Sequence, residues 1–592
     1  MKKLLLFLVS FFAVCVNAQE FEWVKTSGSN QSGEGAYSVK TDSQGNVYMA
    51  GNYRGTVSFN PGGADTATHT SVAYGDAYLE KFDANGNFLW VKVFNNNFEI
   101  EQPLLAIDSN DNVYFASSFE NTIDLDPGTG QDLRTNTSDY ENAYIIKLNS
   151  SGEYVWGKTF ENNNTSMFVK LLSLCIDKQG NVLLGGHFQS TVDFDFSSNT
   201  QNITVNFPAG FILKIDSGGN YIWAKPFTYS TYGSAYVISL AVDSQNNIVA
   251  AGAFSANVDF DPGEGVALYT SPGNNNTDIF FVKLNSDGEY LWSKRPVGYG
   301  EGNIYLTGIN DRITSLVIDK GDNIYFAGYY ALYINFNPGT AEFEFGQNNG
   351  CDTCYYDFKN TIGKIDSSGN MVWVKVMEGG NNHTLVGNGP GVGVGNVLTM
   401  NSNGRLFFGM SFNGTFDYTI EGTPGSLADV SYGMAFMEVR PADGALLSVK
   451  HLPNSFMSSM GGINAHGNDV YVCGKYYESL TFSDSVSITS NAQSDDPFIA
   501  KYHYESDLGV TQHLYAGPVV YPNPAKNIVY IDSKSATISR VILIDVSGKV
   551  LKDQNIYYSG LTEFSLQGVA TGSYFMQVYF DKGVVVNKIL VE

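Results

Sequence analysis

A chain of 592 residues exceeds one ordinary domain unless it is a repeat array. It is 43% hydrophobic and 14% aromatic with 62 Gly, yet only 16% charged, which points to an all-β, turn-rich fold and excludes a disordered one. A formal net charge of −25 argues against nucleic acid or an anionic membrane surface as partner, since both require clustered Lys and Arg.

Residues 1–18 read as a secretory signal peptide. Lys2 and Lys3 form its basic end, an apolar run covers Leu4 to Val16, and "VNA" (16–18) offers a cleavage site that leaves Gln19 first. The run is too short to span a bilayer. Cys15 lacks the small preceding residue of a lipidated cysteine. No later segment is apolar enough to cross a membrane, so no transmembrane segment is expected in the mature chain.

Next comes a repeat. One segment recurs as "VKTDSQGNVYMAGNY" (39–53), "LAIDSNDNVYFASSF" (105–119), "LCIDKQGNVLLGGHF" (174–188), "LAVDSQNNIVAAGAF" (240–254) and "LVIDKGDNIYFAGYY" (316–330), with weaker copies at 398–412 and 463–477. A second follows each of the first five, as in "YLEKFDANGNFLWVK" (78–92) and "FFVKLNSDGEYLWSK" (280–294), with a degraded copy at 436–450. Each segment is two apolar runs around an Asp/Asn/Gly turn, hence a β-hairpin. Two hairpins give four antiparallel strands per unit, A to D, and seven such units predict a seven-bladed β-propeller over 19–507.

The seventh copy ends at "PFIAKYHY" (497–504) with no strand D, whereas "FEWVKT" (21–26) is a strand D without a unit. The N-terminal strand therefore completes the last blade and closes the ring, removing two open edges. All six Trp (23, 90, 156, 223, 292 and 373) fall at this strand-D position and are expected to fill the gap between blades. Ser448 holds the slot in the sixth unit, which predicts a looser contact there. Cys473 and Cys175 fall where other copies carry small or apolar residues, so both read as packed side chains rather than nucleophiles.

The connections between strands B and C, and between D and A, vary in length, and variable loops on a rigid scaffold carry binding. Strand B exits through "TIDLDPG" (122–128), "TVDFDFS" (191–197) and "NVDFDPG" (257–263). Asp124 with Asp126, Asp193 with Asp195, and Asp259 with Asp261 each put two carboxylates on one side of an extended strand, either as Ca²⁺ ligands or as turn braces. Ser58 with Asn60, and Asn335 with Asn337, keep the shape without the charge, which favours the turn. Apart from this calcium, no cofactor is expected. Cys351 and Cys354 in "CDTC" are open to a local disulfide, a metal or redox work. Tyr229, Tyr232, Tyr299, Tyr355 and Tyr356 lie in aromatic loops on the same face and are candidate ligand contacts. No GxSxG, nucleophile–base pair or His-rich site stands out, so catalytic residues are expected to be none.

After a linker at 508–520 a new module begins, whose alternating apolar residues predict a small β-sandwich over 521–592. "YPNPAKN" (521–527), "DVSGKVL" (545–551), "GSYFMQV" (572–578) and "KILVE" (588–592) resemble the C-terminal sorting domain of the type IX secretion system of Bacteroidetes. By that resemblance Pro522, Asn523, Pro524, Gly548, Lys549, Gly572 and Lys588 belong to the sorting signal. The partner is the type IX machinery, and the destination is the medium or the outer-membrane surface. The repeats over 20–507 resemble the bacterial SBBP β-propeller repeat, which implies a fold and little else. The leading expectation is a secreted or surface binding protein, an adhesin for an extracellular glycan or protein. A glycan-active enzyme and a structural surface-layer protein are the alternatives.

Overall fold

The computed structural model describes residues 19–504 and 518–592, except 32, 61–66, 73–74, 96–101, 161–166, 229–232, 272–276, 299–310, 332, 339–341, 347–357, 378–395, 421, 492–493, 534–536, 546–548 and 581–582. The expected signal segment lies outside the described residues. Every regular element among those described is a β-strand, so the protein is all-β. The chain divides into two compact units, 1–504 and 505–592.

In the first unit the Asx turns organise each hairpin. Asp42 Oδ1 accepts hydrogen bonds from the amides of Gln44 (3.0 Å) and Asn46 (2.9 Å), and its Oδ2 accepts from Asn46 Nδ2 (2.8 Å). Asp108, Asp177, Asp243 and Asp319 repeat this pattern. The third turn residue takes positive φ. It is Gly in most copies but Asp111, Asn246 and Asp322 in three. In these three the side chain ties the preceding sheet: Asp111 accepts from Ser43, Asn246 from Lys178, and Asp322 from Ser244. Such bonds offset the local cost of a left-handed, non-glycine residue.

Seven antiparallel A–B–C–D sets of strands follow in order, the sixth and seventh joined into one eight-stranded sheet through Tyr432↔Met457. The first is Gly35–Thr41, Val47–Tyr53, Asp76–Phe82 and Phe88–Phe94. The fourth is Gly233–Val242, Ile248–Asp259, Asp278–Leu284 and Tyr290–Lys294. The sixth is Val397–Met400, Leu406–Ile420, Thr423–Val439 and Leu446–Leu452. Its C–D turn, closed between Arg440 and Ala445, is one residue longer than the Asp83–Asn87 turn, which sets Glu438 where other sheets carry Lys. In the seventh, Met457–His466, Asp469–Tyr477 and Asp495–Tyr504 are completed by Gln19–Thr26, paired antiparallel with Asp495–Tyr504 from Gln19↔Tyr504 to Thr26↔Phe498. Strand A of each sheet lies against strand A of the next, and the seventh against the first, so the sheets form a closed cycle. Strand-A hydroxyls stitch part of it. Ser173, Ser239 and Ser315 Oγ accept the amides of Leu240, Leu316 and Leu398 in the following sheets, at 2.9, 2.9 and 3.0 Å.

Two further groups lock neighbouring sheets. Lys147, Lys214, Lys364 and Lys501 on strand C donate to a carbonyl in the next sheet's C–D turn: Ser217, Ser286, Pro441 and Ala84. The tryptophans 156, 223, 373 and 23 on strand D donate to those same carbonyls. The Trp ring covers that turn's glycine so closely that a Cβ on Gly86 would lie 2.8 Å from Trp23, and one on Gly152 2.9 Å from Trp90. Ser448 departs from this pattern for a structural reason. The following sheet, the seventh, has no C–D turn because its strand D comes from the N-terminus, so no glycine waits for a ring. Ser448 instead accepts a hydrogen bond from Gln19 Nε2, at 2.5 Å.

In the second unit, Val519–Tyr521, Ile528–Asp532 and Leu561–Ser565 form one sheet. Val550–Tyr558, Ile538–Asp545, Gly572–Phe580 and Gly583–Val591 form another, in that order. Val529, Ile531, Val541, Leu543, Phe564, Met576 and Ile589 from both sheets share one core.

Candidate functional site

Between strands B and C the chain makes an additional outer hairpin that the sequence reading treats as loop: Thr122–Asp124 with Leu133–Thr135, and Ser479–Ser483 with Val486–Thr489. In the third sheet strands B and C simply continue into it, as far as Asp193↔Asn202. The candidate carboxylates sit at its tip. Asp124 Oδ1 accepts the amides of Asp126 (3.1 Å) and Asp132 (2.8 Å), and Asp126 Oδ1 accepts that of Gly128 (2.8 Å). In the third sheet Asp193 Oδ1 accepts the amides of Asp195 (3.0 Å) and Gln201 (2.8 Å), and Asp195 Oδ1 accepts that of Ser197 (2.9 Å). In the fourth, Asp259 Oδ1 accepts the amides of Asp261 (3.0 Å) and Ala267 (2.8 Å), and Asp261 Oδ1 accepts that of Gly263 (2.8 Å). Asn335 Oδ1 accepts the amide of Asn337 at 2.8 Å, so a neutral side chain makes the same brace.

In the structure the six carboxylates act as turn acceptors. Asp124 and Asp126, Asp193 and Asp195, and Asp259 and Asp261 each stay within their own hairpin, in three different sheets. None of the six belongs to a group of three potential metal ligands among the described residues. Backbone amides take their Oδ1 atoms. Asp195 is buried, and the Oδ2 atoms of Asp126 and Asp261 lie against Gly130 and Gly265, where an added Cβ would come within 2.1 Å. Each of the six carboxylates thus braces a turn through one oxygen. Tyr229, Tyr232, Tyr299, Tyr355, Tyr356, Cys351 and Cys354 lie outside the described residues.

In the same unit sit buried acids that the sequence reading missed. Glu34 is 0% exposed, with its carboxylate accepting the amides of Ser29 (2.9 Å) and Arg54 (3.0 Å). Asp496 stands nearby, taking the amide of Asn491 and the hydroxyl of Ser494. Burial pushes Glu34 up to about 7, against those hydrogen bonds, and Asp496 up to about 6. Burial likewise raises Glu141, which lies 3.8 Å from Lys170 Nζ, to about 7. Asp311 is pushed well up by burial and by Asp278, itself paired with Arg295 at 3.0 Å. None of these residues falls in a repeated segment, which is why periodicity could not single them out.

A carboxyl whose folded pKa is raised favours folding below its unfolded value and loses that advantage as pH climbs through the folded value. The melting temperature is therefore expected to fall between about pH 4.5 and 7, through Glu34 from 4.5 and Asp496 from 3.8. Calorimetry across that range checks this, and Glu34→Gln should flatten the slope.

Where the N-terminal strand meets the seventh sheet, Lys501 Nζ lies 2.9 Å from Glu22 and 2.8 Å from Asp469, and His503 Nδ1 is 2.7 Å from Asp469. Glu22, Asp469 and His503 are the one group of three potential metal ligands among the described residues. The Lys501 ammonium already stands between the two carboxylates as their cation. Burial alone would lower its pKa, but hydrogen bonds to Asp469 and Glu22 hold it above the usual lysine range. The group is the seventh sheet's counterpart of the strand-C Lys–Asp pair seen at Lys81–Asp42 (3.3 Å), Lys214–Asp177 (3.0 Å) and Lys283–Asp243 (2.8 Å). The sixth sheet reverses the charges, with Arg405 bidentate on Glu438. Cys175 and Cys473 are free thiols that burial pushes up, Cys175 to about 12, so neither is a ready nucleophile.

In the second unit the expected sorting residues gather at one edge. Asn523 Nδ2 donates to Lys588 O (2.7 Å), and its Oδ1 accepts the amide of Leu590 (2.9 Å). Both Pro522 and Pro524 follow cis peptide bonds. The neighbouring Ala525 exchanges backbone hydrogen bonds with Leu590 and Glu592. Gly572 pairs with Val591 on the same final strand. The "YPNPA" segment thus clamps the C-terminal strand. Lys549 closes a separate turn on Asp545 (3.0 Å), and Gly548 lies outside the described residues.

Residues 519–592 match the family described as the secretion system C-terminal sorting domain. A chain of 23% identity, an uncharacterized WD repeat-containing protein of Acanthamoeba polyphaga mimivirus, aligns with 81% of this chain, which spans 38% of that protein's length. Among solved structures, a catalytically inactive virginiamycin B lyase from Staphylococcus aureus with quinupristin overlaps 80% of this chain and 98% of its own, at 9% identity and a TM-score of 0.34. The extracellular domain of a putative hybrid two component system from B. thetaiotaomicron overlaps 97% and 100%, at 11% identity and a TM-score of 0.16. The sorting domain marks the chain for secretion or display at the cell surface.

Proposed function

We propose that this is a secreted or surface-displayed binding protein, built as an SBBP-like seven-bladed β-propeller and exported by the type IX machinery through a C-terminal β-sandwich. The observation that carries the reading is the sorting domain at 519–592 attached to a closed cycle of repeated sheets. A rigid cycle that varies chiefly in its B–C and D–A connections is suited to presenting a recognition surface. The ligand is an extracellular glycan or protein, met by the loops around Tyr229, Tyr232, Tyr299, Tyr355 and Tyr356. Calcium is the ion that would accompany it, held at the hairpin tips through the carboxylate oxygens that the turn hydrogen bonds leave over.

Deleting residues 519–592 in a bacterium with type IX secretion is expected to hold the folded chain in the periplasm, read by fractionation. Secretion that is undiminished would contradict the export half. A glycan and glycoprotein array probed with the mature chain, with and without calcium, tests the binding half. Selective, calcium-strengthened binding supports it, and a blank array on folded protein opposes a glycan ligand.

A further inference from the structure

Glu80 breaks the rule of its own repeat. Its structural counterparts on strand C of the other sheets are Ile146, Leu213, Val282, Gly363, Met437 and Ala500, all apolar or glycine. Glu80 is 1% exposed, and neither of its carboxyl oxygens has a hydrogen-bond partner. A buried carboxyl without a partner is costly to the fold, more so charged than neutral. Nothing in the sheet requires that cost, because six equivalent positions do without it.

The side chain lines a cavity of about 380 Å³, a size within the ~300–1,000 Å³ range of small-molecule sites. The cavity lies between the first sheet and the N-terminal strand that closes the seventh. Lys25, Thr26 and Ser27 form one wall, and Met49, Phe59, Phe82 and Phe88 supply an apolar lining. Ser27 Oγ, also buried, lacks a partner. Three orphaned oxygens thus line one chamber, beside the apolar side chains of Met49, Phe59, Phe82 and Phe88. The lining cation, Lys25, does not pair with Glu80: its stem packs over Gly86 and its charge acts on Asp83 in the C–D turn.

We propose that this cavity is a binding site for a small organic ammonium compound with an aryl or alkyl body, its nitrogen held by Glu80 and Ser27 and its body by the phenylalanines. The inference is separate from the loop-face reading and stands or falls without it. An occupant would bridge the first sheet and the closing strand, so binding should strengthen closure of the cycle. A cation brought to Glu80 also converts an uncompensated buried acid into an ion pair.

The test uses 2-phenylethylamine against 2-phenylethanol on the full mature chain, by calorimetric titration and by melting temperature at pH 7.5. The amine is expected to bind and to raise the melting temperature, with the alcohol at least tenfold weaker. Glu80→Ile, which installs the second sheet's residue, should fold, melt higher than the parent and lose amine binding at least tenfold. Glu80→Gln should retain the fold and lose the preference for amine over alcohol. Equal binding by Glu80→Ile, or no amine binding by a folded parent, would overturn the proposal. So would a Glu80→Ile that melts well below the parent, since Glu80 would then be structural.

Discussion

Removing residues 19–26 is expected to abolish the folded monomer. Among the described residues, the strand supplies the only partner for the outer edge of Asp495–Tyr504, with seven register pairs from Gln19↔Tyr504 to Thr26↔Phe498. Its loss also takes away Trp23, which covers the first sheet's turn and donates to Ala84 O, and Glu22, which sits against Lys501. The exposed edge would pair with other copies, so the product should be aggregated or proteolysed. A milder version is Trp23→Ala. Trp23 is half-buried, so its cost should be about 2–3 kcal/mol, below the ~3–5 of a fully buried aromatic. Size-exclusion chromatography and thermal melting separate the two outcomes. A monomeric deletion variant with a near-parental melt would show that the ring does not depend on its N-terminal strand.

Asp243→Ala should be the most damaging single substitution at a turn, at about 3–5 kcal/mol, because it breaks a buried pair and strands a buried lysine. Asp243 accepts from the amides of Gln245 and Asn247, from Asn247 Nδ2 and from Lys283 Nζ, with the last three at 2.9, 2.8 and 2.8 Å. The side chains of Lys283 and Asp243 are 7% and 2% exposed. Lys283→Met should cost less, since the carboxylate keeps its three turn donors. Burial alone would raise the Asp243 pKa, but Lys283 and the turn donors outweigh it and hold it below the usual aspartate value. A depressed carboxyl stabilises above its unfolded pKa, so this contribution is present at neutral pH and lost as pH falls through the folded value. Urea titrations at pH 7 and pH 3 should therefore show a large parent-to-variant gap that shrinks in acid.

How much of this was legible in the residues depends on whether a feature repeats. The Asx turns were visible because Asp42 and its copies recur with Asn four places on. The pairing of 19–26 with 495–504 followed from a Trp-bearing strand left over at the N-terminus. Ser448 shows the limit of that logic: the missing Trp was legible, but its cause is the absence of a turn in the next sheet, a relation between units that one unit's pattern cannot state. The spacing of Asp195 from Asp193, and of Asp261 from Asp259, left a ligand role open beside the favoured turn brace. Only the amides of Gln201 and Ala267, eight residues beyond the first Asp of each pair, show the brace. The outer B–C hairpins were read as loops because their strands are three to five residues long in several sheets, too short for periodicity. Glu34, Asp311 and Glu141 sit in irregular connections with no pattern to violate. Glu80 did violate one, but the copy at 436–450 sets Glu438 in the same place of the aligned sequence, and only the strand register shows Glu80 as the lone acid among apolar residues.

The measurement that bears most directly on the account is a cross-link between the N-terminal strand and the last one. Val24 and Ala500 face each other across the two strands. Val24→Cys together with Ala500→Cys in the full mature chain, oxidised and mapped by peptide mass spectrometry, should give one intramolecular disulfide joining those two positions. The product should be monomeric, with a melting temperature above that of its reduced form. A chain in which those positions stay reduced, or link only between molecules, would contradict a ring closed by its own N-terminus.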